Sequence, residues 1–422
     1  KVDHGYGIFA TDSSYISNAG KITVTGKYIG ENNTASTYRI NKGFSASAET
    51  APSGQNYGIV GISKGRADYA TTSEDGKTIF NKITINNING KIKTEGDLAV
   101  GIYAENRGDA LKSDIKVTYD DTALTSDDGI DVENTLASAS NSNARGVGIA
   151  IVNNNTGYTS AALNRVGGVL TLTAKDGKLG LHTNADRNIL TGKGGVGIYA
   201  EGSDINLTTK SFTVQAADNG VGLWAVDQTN VALGQNAAHT RTFQFNYNGA
   251  KDKNGYAMAF SSRNTGIATT AQNDLDITFS NVGNNGSANV TTLNAEKTNT
   301  NTATSKGIAG VLVNTHDIND VVVNRGHIKE DKDSSVTHVR SYGAVVNQGT
   351  FENWGDITLA ESLLEDANKV ARADMDKVNV GIRTNNLDRT KTKIVNHGDI
   401  KIGDITSGKA NTTSAQNIGS WA

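Results

Sequence analysis

Arg107-Gly108-Asp109 is the short motif in this chain that carries a recognition chemistry of its own. A cation and a carboxylate held on opposite sides of a Gly turn can bridge the acidic pocket and the metal site of an integrin-type receptor. The motif follows the apolar run Ile102-Tyr103-Ala104, which places it at an exposed corner, and a Gly turn is required there in any case. Arg107, Gly108 and Asp109 are therefore the candidate partner-binding residues, beside a plain reading as a turn.

Other chemistry is thinner. Ser126-Asp127-Asp128-Gly129-Ile130-Asp131-Val132-Glu133 brings four carboxylates near a Gly turn, without the alternation of a Ca²⁺-binding loop, and reads as a solvated acidic loop. His4, His182, His239, His316, His327, His338 and His397 show no i, i+4 pair and no His-Glu-x-x-His spacing, so they read as surface or corner residues and no metal is expected. No Ser stands in a recognisable strained elbow beside a His and an acid, and with no Cys there is no thiolate chemistry and no disulfide. No catalytic residue and no cofactor are expected. Tyr103, Tyr199, Trp224, Phe260 and Trp354 occupy strand positions. Facing inward, such rings fill a core; facing outward beside Asp, Asn or Arg, a ring covers the apolar face of a sugar while the polar groups hold its hydroxyls.

What must position these residues is a repeat. Gly followed by a short apolar run recurs as Gly7-Ile8-Phe9-Ala10, Gly58-Ile59-Val60-Gly61, Gly101-Ile102-Tyr103-Ala104, Gly148-Ile149-Ala150-Ile151, Gly197-Ile198-Tyr199-Ala200 and Gly222-Leu223-Trp224-Ala225, with looser copies at Gly310, Gly343 and Gly381. In counterpoint runs Asn-x-Gly-x-apolar: Asn18 to Val24, Asn324-Arg325-Gly326-His327-Ile328, Asn353-Trp354-Gly355-Asp356-Ile357 and Asn396-His397-Gly398-Asp399-Ile400. Asn and Gly accept the backbone of a sharp corner, and the residues after them alternate with period two, so each motif opens a half-buried strand. Spacing is unequal, from Gly180 to Gly197 at the short end to Gly255 to Gly310 at the long end, and no helical pattern intervenes as a βαβ array would require.

The expected fold is all-β, a right-handed parallel β-helix with loop insertions and one short helical insertion. The 47 Gly residues serve its corners, and the single Pro, Pro52, fits strands that need every N–H for pairing. About 12 to 18 coils at about 4.8 Å each are expected. Residues 1–422 read as one continuous segment that continues beyond both ends, because Gly419-Ser420-Trp421-Ala422 repeats the opening of a coil. Insertions are expected near 31–55, 64–77, 119–145, 235–254, 284–306 and 359–377, the last carrying helical spacing over 359–378. A net charge of -3 gives no field directed at nucleic acid, and no run of about 18 apolar residues is present to span a bilayer.

The run Gly195 to Gly202, the run Val100 to Glu105 and the Asn-x-Gly-x-Ile corners resemble the passenger domains of large autotransporters, especially the fusobacterial outer-membrane adhesins. The resemblance covers essentially the whole chain and is carried by scaffold residues. It implies a β-helix exported to the bacterial cell surface and held at the outer membrane by a C-terminal translocator barrel that this sequence does not contain. It further implies non-catalytic binding to a host-cell protein receptor or glycan, and to partner bacteria; the alternatives are service as a stalk for a distal tip and, third, a β-helical polysaccharide-cleaving enzyme, for which the chain shows no obvious cluster of close carboxylates. Relatives of that kind include lectin-like adhesins inhibited by galactose-type sugars, adhesins inhibited by free arginine, and proteins that engage lymphocyte receptors.

Overall fold

The computed structural model describes residues 4–11, 14–25, 55–63, 70–72, 78–80, 82–96, 98–106, 114–120, 124, 129–134, 146–153, 169–172, 195–201, 204–207, 211–216, 220–226, 231–233, 238–247, 254–262, 268–281, 307–316, 318–331, 341–360, 379–384, 388, 390–403 and 418–421. They are all-β, with no helix among them. The span 361–378, with its helical spacing, lies outside the described residues, as does Arg107-Gly108-Asp109.

Each Gly-apolar repeat belongs to one long parallel sheet. Its eleven strands run from His4–Thr11, Gln55–Ser63 and Leu98–Asn106 through Gly220–Val226 to Val380–Thr384 and Ile418–Trp421, each paired in parallel with the copy that follows. A second parallel sheet stacks Tyr15–Asn18, Lys82–Ile88, Asp114–Asp120 and their successors down to Thr392–Asn396. The two share the 13-residue strand Ser341–Asn353, and together they form one 20-stranded sheet. The third set comprises Lys21–Thr25, Lys91–Gly96 and Ile130–Asn134, then a six-stranded sheet from Ser211–Ala216 to Ile400–Ile402. Along the chain the visits run first sheet, second, third, then back to the first, one layer on, except that among the described residues Val169–Leu172 of the second sheet is followed directly by Val196–Glu201 of the first. Among the described residues one antiparallel pair, Ala70–Thr72 with Thr78–Phe80, falls outside this order. Among the described residues the first sheet contributes eleven layers, against the 12 to 18 coils expected.

One apolar core contains residues of all three sets: Ile59, Ile102, Ile149 and Ile198 from the first sheet, Ile85 and Val117 from the second, Ile92, Phe243, Phe245 and Ile357 from the third. Two spans expected to be insertions therefore contain scaffold. Within 119–145 lies Ile130–Asn134, with Ile130 and Val132 in the core, and within 235–254 lies Thr242–Tyr247, whose Phe243, Phe245 and Tyr247 alternate with half-buried polar residues. The other face of the first sheet is buried too, in a separate apolar layer that includes Val100, Tyr103, Val196, Tyr199, Val221 and Trp224. Strands buried on both faces read as nearly unbroken apolar runs, which is why Val196–Glu201 and Gly220–Val226 are buried throughout.

The Gly of the repeat sits inside its strand rather than opening it, at the point where side-chain alternation slips. Val100 faces the outer layer, Ile102 the core and Tyr103 the outer layer again, so Gly101 absorbs one residue of phase. Register runs Val100 with Val147 and Ile102 with Ile149, passing over Gly101 and Gly148. A side chain at Gly101 would strike Ile130 of the third set and the Gly148 carbonyl; at Gly343 it would strike Ile357 and the Gly381 carbonyl. In one layer the place belongs to buried Ala257, over Gly222, and not to Gly255 as the sequence suggested.

Where layers are tied edge to edge, polar groups do it. Glu330 accepts the Ser341 hydroxyl at 2.6 Å and the Ala360 N–H at 2.8 Å. Burial pushes its carboxyl above the ordinary 4.5, against the lowering effect of those two bonds. Because the folded state holds the proton more tightly than the unfolded chain, stability from this group is present at low pH and is lost as pH rises from 4.5 through the raised value. In Glu330→Gln that decline disappears, which urea midpoints measured across the acid range will record against wild type. Gly343→Ala, which drives a methyl into Ile357 and a backbone carbonyl, is expected to cost about 1–3 kcal/mol of unfolding free energy in the same assay.

Candidate functional site

The corner between the second and third sets is built on buried asparagines. Asn273, Asn324 and Asn353 are fully buried, and each Nδ2 donates twice. One bond goes to the Asn Oδ1 of the next layer, Asn273 to Asn324 at 2.8 Å, Asn324 to Asn353 at 2.7 Å and Asn353 to Asn396 at 2.8 Å. The other goes to the carbonyl two residues on, Leu275, Gly326 and Gly355 respectively. Asn18 and Asn87 repeat the arrangement near the start of the chain, at 2.6 Å. At Gly326 and Gly355, two places after Asn324 and Asn353, a side chain has no room, since the Leu275 and Gly326 carbonyls lie where their Cβ atoms would stand; in the Asn273 layer that place is held by Leu275, whose side chain is in the core.

With Asn inward and Gly pressed against the next layer, the remaining corner residues project outward in two columns. The first holds Asp274, Arg325, Trp354 and His397; the second holds Asp276, His327, Asp356 and Asp399. In the second column each side chain accepts the backbone N–H of the residue one layer on: Asp276 Oδ1 from His327 at 2.8 Å, His327 Nδ1 from Asp356 at 3.0 Å, and Asp356 Oδ1 from Asp399 at 3.0 Å. His327 thus fills an acceptor place that Asp fills in its neighbours, which puts its ring proton on Nε2.

The first column carries an aromatic platform. Trp354 is 51% exposed, stacks on His397 with ring centroids 3.8 Å apart at 17°, and donates Nε1–H to Glu352 Oε1 at 2.7 Å. His397 Nε2 lies 3.8 Å from the same carboxylate oxygen. The indole is therefore fixed in orientation by groups on two sides. Beside it, the exposed Arg325 guanidinium forms neither an ion pair nor a hydrogen bond among the described residues. The other four aromatics singled out from the sequence are buried: Tyr103 and Tyr199 donate to Glu105 and Glu201, Trp224 donates to Ser261, and Phe260 lies in the core.

The remaining sequence candidates separate in space. Asp131 is held by Lys93 at 3.3 Å, while Asp127 and Asp128 lie outside the described residues. His316 is half-buried, 3.9 Å from buried Asp320. His182 and His338 lie outside the described residues, and of His4 only the strand backbone is described. Gly61-Ile62-Ser63-Lys64-Gly65 matches the Gly-x-Ser-x-Gly spacing of a nucleophile elbow, although no Ser is expected in such an elbow. Gly61 and Ser63 sit within a parallel strand, opposite Ala104 and Asn106, and a side chain on Gly61 would meet Ile83 and Ile85, so this Gly serves packing.

What local spacing missed is that His239, Asp276 and His327 come together. His239 Nδ1 lies 2.8 Å from Asp276 Oδ1, and its ring stacks on His327 with centroids 4.2 Å apart. Asp276 and His327 share the fourth position of the Asn corner, a signal legible in the repeat. His239 stands in a turn outside it and left none.

Asn324→Ala removes the partner of Asn273 Nδ2, of Asn353 Oδ1 and of the Gly326 carbonyl at once. With each orphaned buried group costing about 1–3 kcal/mol, the variant is expected to lose at least about 2 kcal/mol in equilibrium denaturation, whereas the exposed Trp354→Ala stays within about 0.5 kcal/mol of wild type.

Compared with models of protein families, with curated proteins and with solved structures, the chain matches none.

Proposed function

We propose that the three sets of strands close into a right-handed parallel β-helix, and that this chain is a passenger segment of an autotransporter adhesin displayed on a bacterial outer membrane. Supporting the closure are the cyclic order of visits and a core drawn from all three sets. Supporting the export class is the resemblance of the Gly-Ile-Tyr-Ala-Glu strands and Asn-x-Gly corners described above. Its task is recognition without catalysis, and the surface that performs it is the corner ridge.

The observation that carries this reading is Trp354. A large apolar ring half exposed on a rigid corner, backed by His397 and locked by Glu352, loses little freedom when a ligand settles on its open face. Arg325, one layer before it, supplies donors that no described residue engages, and Asp356 stands in the layer of Trp354 itself. An apolar face with fixed polar groups at its margin suits a pyranose ring, so the partner class is a host or bacterial glycan.

The test is saturable binding of the folded, purified chain to epithelial cells and lymphocytes, with galactose, free arginine and an Arg-Gly-Asp peptide as separate competitors. Sugar-inhibited binding that Trp354→Ala abolishes is the expected result. Binding that survives this substitution and yields to the peptide moves the site to Arg107, Gly108 and Asp109. A folded chain that binds nothing is a stalk, with the adhesive tip elsewhere in the parent protein.

A further inference from the structure

We propose that His239, Asp276 and His327 form a binding site for a divalent cation of borderline softness, of the Zn²⁺ or Ni²⁺ kind. The three come from successive layers: His239 from the turn before Thr242–Tyr247, Asp276 at the head of Asp276–Asn281, and His327 beside Ile328–Glu330. One ligand atom from each lies within 4.8 Å of the other two. Two imidazoles and a carboxylate are the donor set such an ion selects, and the remaining coordination positions would fall to water, since His239 is exposed and the other two are half-buried.

A second observation concerns the backbone. His239 has φ 51, and apart from Asn89 it is the one non-Gly residue in the left-handed region among the described residues. Asn89 precedes Gly90 in a tight turn, where that conformation is common for Asn. A His held there is strained, and what the strain achieves is to lay the imidazole over His327 with Nδ1 against Asp276.

The hydrogen bonds define how an ion enters. Between His239 Nδ1 and Asp276 Oδ1 it takes the place of the shared proton. His327 in its present orientation is an unsuitable ligand, because Nδ1 accepts the Asp356 N–H and Nε2 holds the ring proton. A half-turn of the ring about Cβ–Cγ sets Cδ2 against Asp356 and frees Nδ1 to serve as a ligand. The protein gives up one corner hydrogen bond and gains a third ligand. Metal uptake and the Asp356 amide are thereby coupled, a link that adventitious binding to a surface histidine lacks.

The experiment titrates the chain, free of any polyhistidine tag, with ZnCl2 and NiCl2 by calorimetry while the Asp356 amide is followed by ¹⁵N NMR. One equivalent is expected to bind, with the Asp356 signal moving in step. His239→Ala tests an exposed ligand whose loss leaves the fold intact. His327→Asn removes the imidazole yet keeps an acceptor for the Asp356 N–H. Each is expected to weaken affinity at least about tenfold, while His182→Ala changes nothing. Equal uptake by wild type and the double variant His239→Ala, His327→Asn, or saturation that leaves the Asp356 amide unmoved, overturns the proposal.

Discussion

Pairing between adjacent layers is the constraint from which the rest follows. Within each sheet an internal strand finds its partners in the copy before it and the copy after it, so a residue chosen for one layer is pressed against its counterpart in the next at about 4.8 Å. At that spacing like stacks on like. Isoleucine on isoleucine fills the core, and an amide is one of the few buried polar groups that can both give and accept along such a line, which is why Asn occupies the corner. Glycine recurs for the complementary reason: a carbonyl of the neighbouring layer already stands where its side chain would be.

This constraint made the scaffold legible. Gly-Ile-Tyr-Ala and Asn-x-Gly-x-Ile are direct imprints of a slipped strand and a stacked corner, and both could be read as parallel strands before any coordinate was known. Legibility failed where a residue's fate depends on phase. Tyr103 and Trp354 each lie within a few residues of a Gly, yet one is buried and one exposed. The difference is set by the slip at Gly101, which carries Tyr103 into a second apolar layer, and by the corner at Asn353, which turns Trp354 outward. Thr242-Phe243-Gln244-Phe245-Asn246-Tyr247 keeps strict period two, but its polar half and polar surroundings disguised it as an insertion.

The candidate site was legible only in part. Trp354 belongs to the set of aromatics whose side of the strand decides between core and sugar contact, and it is the one that faces out. The grouping of His239 with Asp276 and His327 was not accessible, because it depends on which residues of unequal connections fall on the same side of adjacent layers. Spacing in sequence carries that information for Asp276 and His327, which share a corner position, and carries none for His239. Repetition fixes the columns, and irregularity decides what stands on them.

The direction of the asparagine ladder has a mechanical meaning. Its amide bonds, like the backbone bonds between layers, point along the stacking direction, so tension between the two ends of the chain pulls on them lengthwise, one layer at a time, instead of shearing a whole sheet at once. Such a body yields by peeling from an end, at a force set by one layer and nearly independent of how many lie behind it. The 13-residue strand Ser341–Asn353, which runs through two sheets without a break, is where that peeling would stall, because its layer has to surrender two pairings together.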